Sequence, residues 1–281
     1  MSGSRPALAN GQQTAARLRA LLDEAEADGR CELVPACHDA MSAALIQRAG
    51  FRIAFMSGYA VSASQLALPD AGLISYGEQL QVGRNICAAC PELCVIGDGD
   101  TGFGSSGNIK RTIDGFAAAG FAGISIEDQV YPKWCSFALA NYAEMSSFNK
   151  RLRAESVGIG GLQSRTIYTH TMLAQVERPG YPMVSPEKAA EAGFTLSLLG
   201  LEVLNASISA MKETLARLAN PMSPSISQGA KKPRLAKVQR LSFEELYKEC
   251  GFDDHYAWEE LHHGQGHGWA AMMDDVKGLR D

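Results

Sequence analysis

Residues Cys94–Gly104 read CVIGDGDTGFG. An apolar run stops at two aspartates, Asp98 and Asp100, and glycines at 97, 99, 102 and 104 surround them. The run has the length and composition of a short buried strand whose exit carries charge. Alternation along a strand puts Asp98 and Asp100 on one side of the backbone, about 6–7 Å apart. The glycines allow a sharp turn and a close approach of a ligand to the backbone. Taken alone, the pair reads equally as capping aspartates of a strand-to-helix turn or as the start of a cation site.

Working outward, the same design repeats. ELVPA (32–36), 52–57, 93–98, AGISIED (122–128), 171–176 and 194–199 read as six buried strands, with strand 122–127 ending in Glu127-Asp128. Between them lie helical patterns at 14–28, 39–51, 76–90, 108–121, from Ser185-Pro186 onward, and 201–219. A capping hydroxyl followed by proline starts the helix at 186 well. Short buried strands alternating with helices predict βαβ units and a parallel sheet. The expected fold is α/β, a TIM-type (β/α)8 barrel that is shortened. An eightfold barrel takes about 250 residues and eight strands, whereas 128–170 is largely polar or Gly-rich and supplies at most one weak strand. Residues 1–219 form the expected barrel with its N-terminal helix. Residues 220–234 (NPMSPSISQGAKKPR) read as a linker, and LSFEELYKECGF (241–252) as a last helix with a Ser242/Glu245 capping box and a Gly251 stop.

Composition narrows the function classes. Of 281 residues, 26 are basic and 31 acidic, a net charge of −5 that argues against a nucleic-acid surface. No apolar run approaches the roughly 18 residues of a membrane span, and the start MSGSRPALANGQQ lacks a secretory layout. Seven cysteines, at 31, 37, 87, 90, 94, 135 and 250, are an odd set that favours reduced thiols and a cytoplasmic setting. Cys87-Ala-Ala-Cys90 has no second Cys or His pair to complete a zinc site and reads as structural. HHGQGHGW (262–269) reads as a solvated tail.

In a parallel barrel the C-terminal strand ends face the active site. Asp98 and Asp100 end one strand, and Glu127 and Asp128 the next. Carboxylates converging at one mouth repel unless a hard cation sits among them. Oxygen donors without nearby His or Cys favour Mg²⁺, or Mn²⁺, over zinc. Lys133 and Cys135 follow directly, and a thiol beside a lysine and a divalent metal can act as thiolate or proton donor.

FMSGYAVSASQLALPDAGLISYGE (55–78), VIGDGDTGFG (95–104) and ISIEDQVYPKWC (124–135) together resemble the isocitrate lyase / phosphoenolpyruvate mutase superfamily, and CHDAMSAALIQRAGF (37–51) resembles its first barrel unit. The resemblance implies Asp98 as direct Mg²⁺ ligand, with Asp100 and Glu127 holding the metal mostly through water. It implies that Ser57, Gly58 and Tyr59 bind the substrate carboxylate, that Asp70 lies near the reacting centre, and that Lys133 and Cys135 sit on a gating loop. The matching Cys of carbon–carbon lyases donates a proton to the departing enolate. The implied partner is a small carboxylic acid, and the implied assembly a homotetramer that exchanges C-terminal helices.

The chain also departs from the family. Ser136-Phe137 stands where Gly-His usually follows, and Ser164-Arg165-Thr166-Ile167 is the nearest counterpart of a substrate-gripping Arg motif, making Arg165 the candidate. Three readings stay open: a Mg²⁺-dependent lyase, an oxaloacetate-type hydrolase or decarboxylase, and a non-catalytic relative that keeps the metal end.

Overall fold

The computed structural model describes residues 6–127, Lys133, 172–176, 182–219, Ser242, Glu245 and 252–263. Six strands form one sheet: β1 (Glu32–Cys37), β2 (Ile53–Met56), β3 (Cys94–Asp98), β4 (Gly123–Ser125), β5 (Met172–Gln175) and β6 (Leu196–Leu199). Five fall inside the segments expected from sequence, and β1 runs one residue past 32–36, to Cys37. Every pairing is parallel, in the order β4-β3-β2-β1-β6-β5. That is the cyclic order of a barrel with a gap between β4 and β5 among the described residues. The shortened TIM-type barrel expected from the sequence is the fold observed.

Local chemistry explains where the helices start and stop. They are α1 (Pro6–Ala27), α2 (Ala40–Arg48), α3 (Gly58–Leu66), α4 (Tyr76–Ala89), α5 (Ser106–Ala119), α6 (Pro186–Glu191), α7 (Glu202–Ala219) and α8 (Phe252–His263). Asp39 caps α2 by accepting from the Ser42 amide at 2.7 Å. Ser75 and Glu78 form the reciprocal capping box of α4. Gly120 ends α5 at φ 103°, a conformation glycine adopts without strain. Ser185 caps α6 through the Lys188 amide at 3.3 Å.

Two helices were not foreseen. The first turns of α3 are buried all round, from Gly58 to Ser62, so no one-sided apolar stripe marks the element. The second, α8, follows Gly251, where a stop was expected. The expected capping box upstream does form, with the Ser242 amide donating to Glu245 at 2.7 Å and the Glu245 amide to the Ser242 hydroxyl at 3.1 Å. The linker 220–234 lies outside the described residues.

Alternation along the strands divides the core. Val34 and Ala36, Ile53 and Phe55, Cys94 and Ile96, and Leu196 and Leu198 make an inner cluster closed by Leu18 and Leu22 of α1. Arg17 of α1 reaches the Cys94 thiol and the Pro91 carbonyl, so this helix covers the N-terminal end of β3. The intervening residues, Cys37, Ala54, Met56 and Val95, pack outward against α2, α4 and α5. Phe116 and Phe121 stack there at 4.7 Å. Gly97 faces this pair, and a Cβ on it would fall 2.6 Å from Phe116 and 2.9 Å from Phe121.

Cys31, Cys37, Cys87, Cys90 and Cys94 are free thiols, as expected for the CxxC segment. Burial pushes Cys31 up to about 11 and Cys87 up to about 12, and raises Cys37 further still. In the native protein these three should resist a thiol-exchange reagent at pH 8 and react once urea unfolds the chain, read peptide by peptide in a mass spectrometer. Gly97→Ala should lower stability by about 1–3 kcal/mol through overpacking, measured as a shift in urea midpoint. Gly107→Ala, where a Cβ meets nothing within 4 Å, should be neutral or stabilising by up to about 1 kcal/mol.

Candidate active site

The site grows from two strand-to-helix turns. At the end of β2, Ser57 caps α3, its hydroxyl accepting from the Ala60 amide at 3.3 Å. The Gly58 amide, at the positive end of α3, donates to Asp98 Oδ2 at 3.0 Å. A Cβ on Gly58 would lie 2.9 Å from that oxygen and 3.0 Å from Asp100 Oδ1. Only glycine permits this approach.

At the end of β3 the chain folds back on itself. Asp100 takes a left-handed φ of 48°, which turns its amide onto Asp98 Oδ1 at 3.0 Å. Asp98 therefore accepts from two backbone amides. Gly99 passes against β4, where a Cβ would meet Ile124 at 2.8 Å and the Ser125 carbonyl at 3.0 Å. The Glu127 amide donates to the Asp100 carbonyl at 2.7 Å, which fixes Glu127 beside the cluster.

Asp70 arrives from the loop after α3. Ser62 holds that loop by donating to the carbonyls of Leu68 and Pro69. Lys133 then joins the parts. Its ammonium forms an ion pair with Asp70, 2.7 Å from Oδ1. It also donates to Asp100 Oδ1. Lys133, Asp70 and Asp100 are 3%, 6% and 3% exposed, so this network is dry.

Charge follows from the burial. Burial raises the carboxyls of Asp98 and Asp70, an effect that Lys133 opposes and Asp100 reinforces. Burial alone would lower Lys133, but Asp100 and Asp70, then Asp98 and Glu127, raise it well above the usual lysine value. One ammonium thus answers several carboxylates, and Asp100 Oδ2 is buried without a partner. An all-oxygen donor set with an orphaned carboxylate oxygen fits a hard divalent cation. Among the described residues, however, no three acidic, His or Cys side chains converge as a ready ligand cage. Lys133 provides the positive charge instead.

Of the expected site residues, Asp70, Asp98, Asp100 and Lys133 come together, with Glu127 alongside. The turn at 57–59 reaches the cluster through Gly58. Its other expected groups are engaged elsewhere: the Ser57 hydroxyl caps α3, and the Tyr59 ring packs 5.1 Å from Phe252 of α8. Lys133, expected on a gating loop, is buried inside the carboxylate cluster. Cys135, Arg165 and Asp128 lie outside the described residues. Sequence reasoning passed over His38, which follows the inward-facing Ala36 by two residues; counting alternation past the end of β1 finds it.

A groove of about 650 Å³ on the opposite, N-terminal face is lined by Arg30, Glu32, Arg52 and Glu187, among others. Its arginines are already paired, Arg30 with Glu24, Asp28 and Glu32, and Arg52 with Glu24 and Glu32. It offers an anion no free cation. The acidic mouth, with its buried unpaired carboxylate oxygen, is the candidate site.

Comparison with known proteins places the chain in a family. Across 103 residues the chain is 48% identical to the chloroplastic carboxyvinyl-carboxyphosphonate phosphorylmutase of Arabidopsis thaliana, covering 37% of this chain and 30% of that protein. Across 122 residues it is 43% identical to 2,3-dimethylmalate lyase of Eubacterium barkeri, covering 43% and 40%. The matched part thus spans less than half the length of these curated relatives. A crystal structure of a 2,3-dimethylmalate lyase superposes with a TM-score of 0.62 at 22% identity, over 89% of this chain and 96% of that one, which establishes the shared fold. The phosphoenolpyruvate phosphomutase family matches residues 18–159, half of the chain. The chain belongs to that family, within the isocitrate lyase / phosphoenolpyruvate mutase superfamily.

Proposed function

We propose that the chain is a Mg²⁺-dependent carbon–carbon lyase acting on a small 2-hydroxy or 2-keto di- or tricarboxylic acid. The observation that carries this reading is the buried ammonium of Lys133 between Asp70 and Asp100, with the half-buried Asp98 beside them, at the C-terminal face of the parallel sheet. Asp98, with Asp100 and Glu127, would hold the cation, Mn²⁺ being an acceptable substitute. When bound, the cation supplies stabilisation for negative charge developing on the departing fragment.

The protein's own groups account for the remaining work. The N-terminus of α3, whose Gly58 and Ala60 amides are taken by Asp98 and Ser57, presents its positive dipole to a substrate carboxylate. Asp70, whose carboxyl burial raises, is suited to take the proton of the substrate hydroxyl. As that proton leaves, the hydroxyl carbon becomes a carbonyl, the adjacent carbon–carbon bond breaks, and its electron pair passes to the departing carboxylate fragment. An acid then protonates that fragment at carbon, the role the family resemblance gives to Cys135. Lys133 holds positive charge against Asp70 and Asp100 throughout.

The test is Mg²⁺-dependent release of pyruvate, glyoxylate or oxalate from a panel of 2-hydroxy and 2-keto diacids. Asp98→Asn should lower kcat/KM by at least a hundredfold, in line with the loss of a key transition-state group, and unchanged turnover would refute its role. Gly58→Ala should force Asp98 out of place and reduce turnover while the fold survives, checked by circular dichroism. Oxalate release from oxaloacetate alone would favour a hydrolase, and no turnover by a folded protein would refute the lyase reading. Lys133→Met leaves buried carboxylates without a counter-charge and should cost about 3–5 kcal/mol. Its melting midpoint should recover more in millimolar Mg²⁺ than that of the unmodified protein.

A further inference from the structure

Beyond the acidic cluster, one polar side chain in the mouth has no assigned work. The inner cluster ends on three neighbouring strands at Ala36, Phe55 and Ile96, which are in register. The next inward positions are 38, 57 and 98, so His38, Ser57 and Asp98 form the following row. The Ser57 amide donates to the Cys37 carbonyl at 3.1 Å, so the ladder continues to that level. Ser42 fixes the backbone there, its hydroxyl accepting from the amides of His38 and Asp39 at 3.1 Å.

His38 is 6% exposed, and its Nδ1 is buried with no partner. Its Nε2 lies 3.9 Å from Asp39 Oδ2, beyond hydrogen-bond reach. Burial lowers its pKa, with Asp39 opposing, so the ring is neutral at pH 7 and carries one N–H. A buried imidazole with Nδ1 unanswered is costly to keep. It stands two strands from Asp98, roughly 10 Å at ordinary strand spacing. That is the span of a small diacid with a hydrogen bond at each end.

We propose that His38 is a substrate-contacting specificity residue that donates a hydrogen bond to the second carboxylate of a 2-hydroxy or 2-keto diacid. The inference rests on the proposed lyase reading for the location of the first carboxylate, beside Asp98 and the α3 N-terminus. His38 thereby separates dicarboxylates from monocarboxylates of the same 2-hydroxy-acid head.

Malate and lactate, which share that head and differ in the second carboxylate, are the probes. Their binding to the full chain in Mg²⁺ is measured by calorimetry, beside melting midpoints. His38→Phe should weaken malate about tenfold to a hundredfold, the loss of a hydrogen bond to a charged group, and leave lactate unchanged. His38→Gln, which keeps a donor, should retain most of the malate affinity. If the Phe variant does not fold, His38→Ala decides by the same comparison. Equal weakening of both ligands, unchanged malate affinity, or no malate binding by the unmodified protein would each overturn the proposal. If the unmodified protein binds malate yet cleaves no diacid in the panel, the lyase reading fails while the malate–lactate comparison still decides the role of His38.

Discussion

The burial of a single ammonium among carboxylates is the constraint on which the site is built. Lys133 sits between Asp70 and Asp100 with almost no exposure. In a dry interior such charges are tolerable only when paired and held by further hydrogen bonds. The protein meets the second condition with backbone: Asp98 takes the amides of Gly58 and Asp100, and the left-handed turn at Asp100 exists to deliver one of them. Gly58 and Gly99 are spaces that a methyl group would fill. The acidic mouth thus dictates backbone shape on β2, β3 and β4 together.

The strands were legible because each is a short, largely apolar run, and β2, β3, β4 and β6 end at or beside Gly, Asp or Ser. The carboxylates at the mouth were legible for a related reason: charge at the end of a buried run has few structural uses. The arrangement of Lys133 was not legible, since a lysine in a loop carries no signal of where its amine lands. Helix α3 hid behind a first turn and a half that is buried all round. His38 belongs to no motif, and only the inward count from Ala36 places it. Of two expected residues outside the described set, Cys135 closes a segment that resembles the family, whereas Arg165 falls where the chain departs from it.

The site also explains why family likeness is concentrated as it is. The turns after β2 and β3 and the end of β4 supply Gly58, Asp98, Asp100 and Glu127, and all lie within the matched span 18–159. Phe252 and Tyr256 of α8 lie outside it, yet they pack on Tyr59 next to the carboxylate-facing turn. A residue far along the chain therefore buttresses the first turn of α3 and links the C-terminal segment to the geometry of the mouth.

The strand order carries a consequence for how the chain is made. β1 is central: on one side it pairs with β2, which follows at once, and on the other with β6, which comes near the far end of the sheet-forming sequence. During synthesis β1, β2, β3 and β4 can align as soon as they emerge, while the second edge of β1 stays open until β6 arrives. That late, non-local pairing is the slow kind of step, and an unpaired apolar edge is where nascent chains meet one another. Pairing with β6 is therefore as much protection against misassembly as it is architecture.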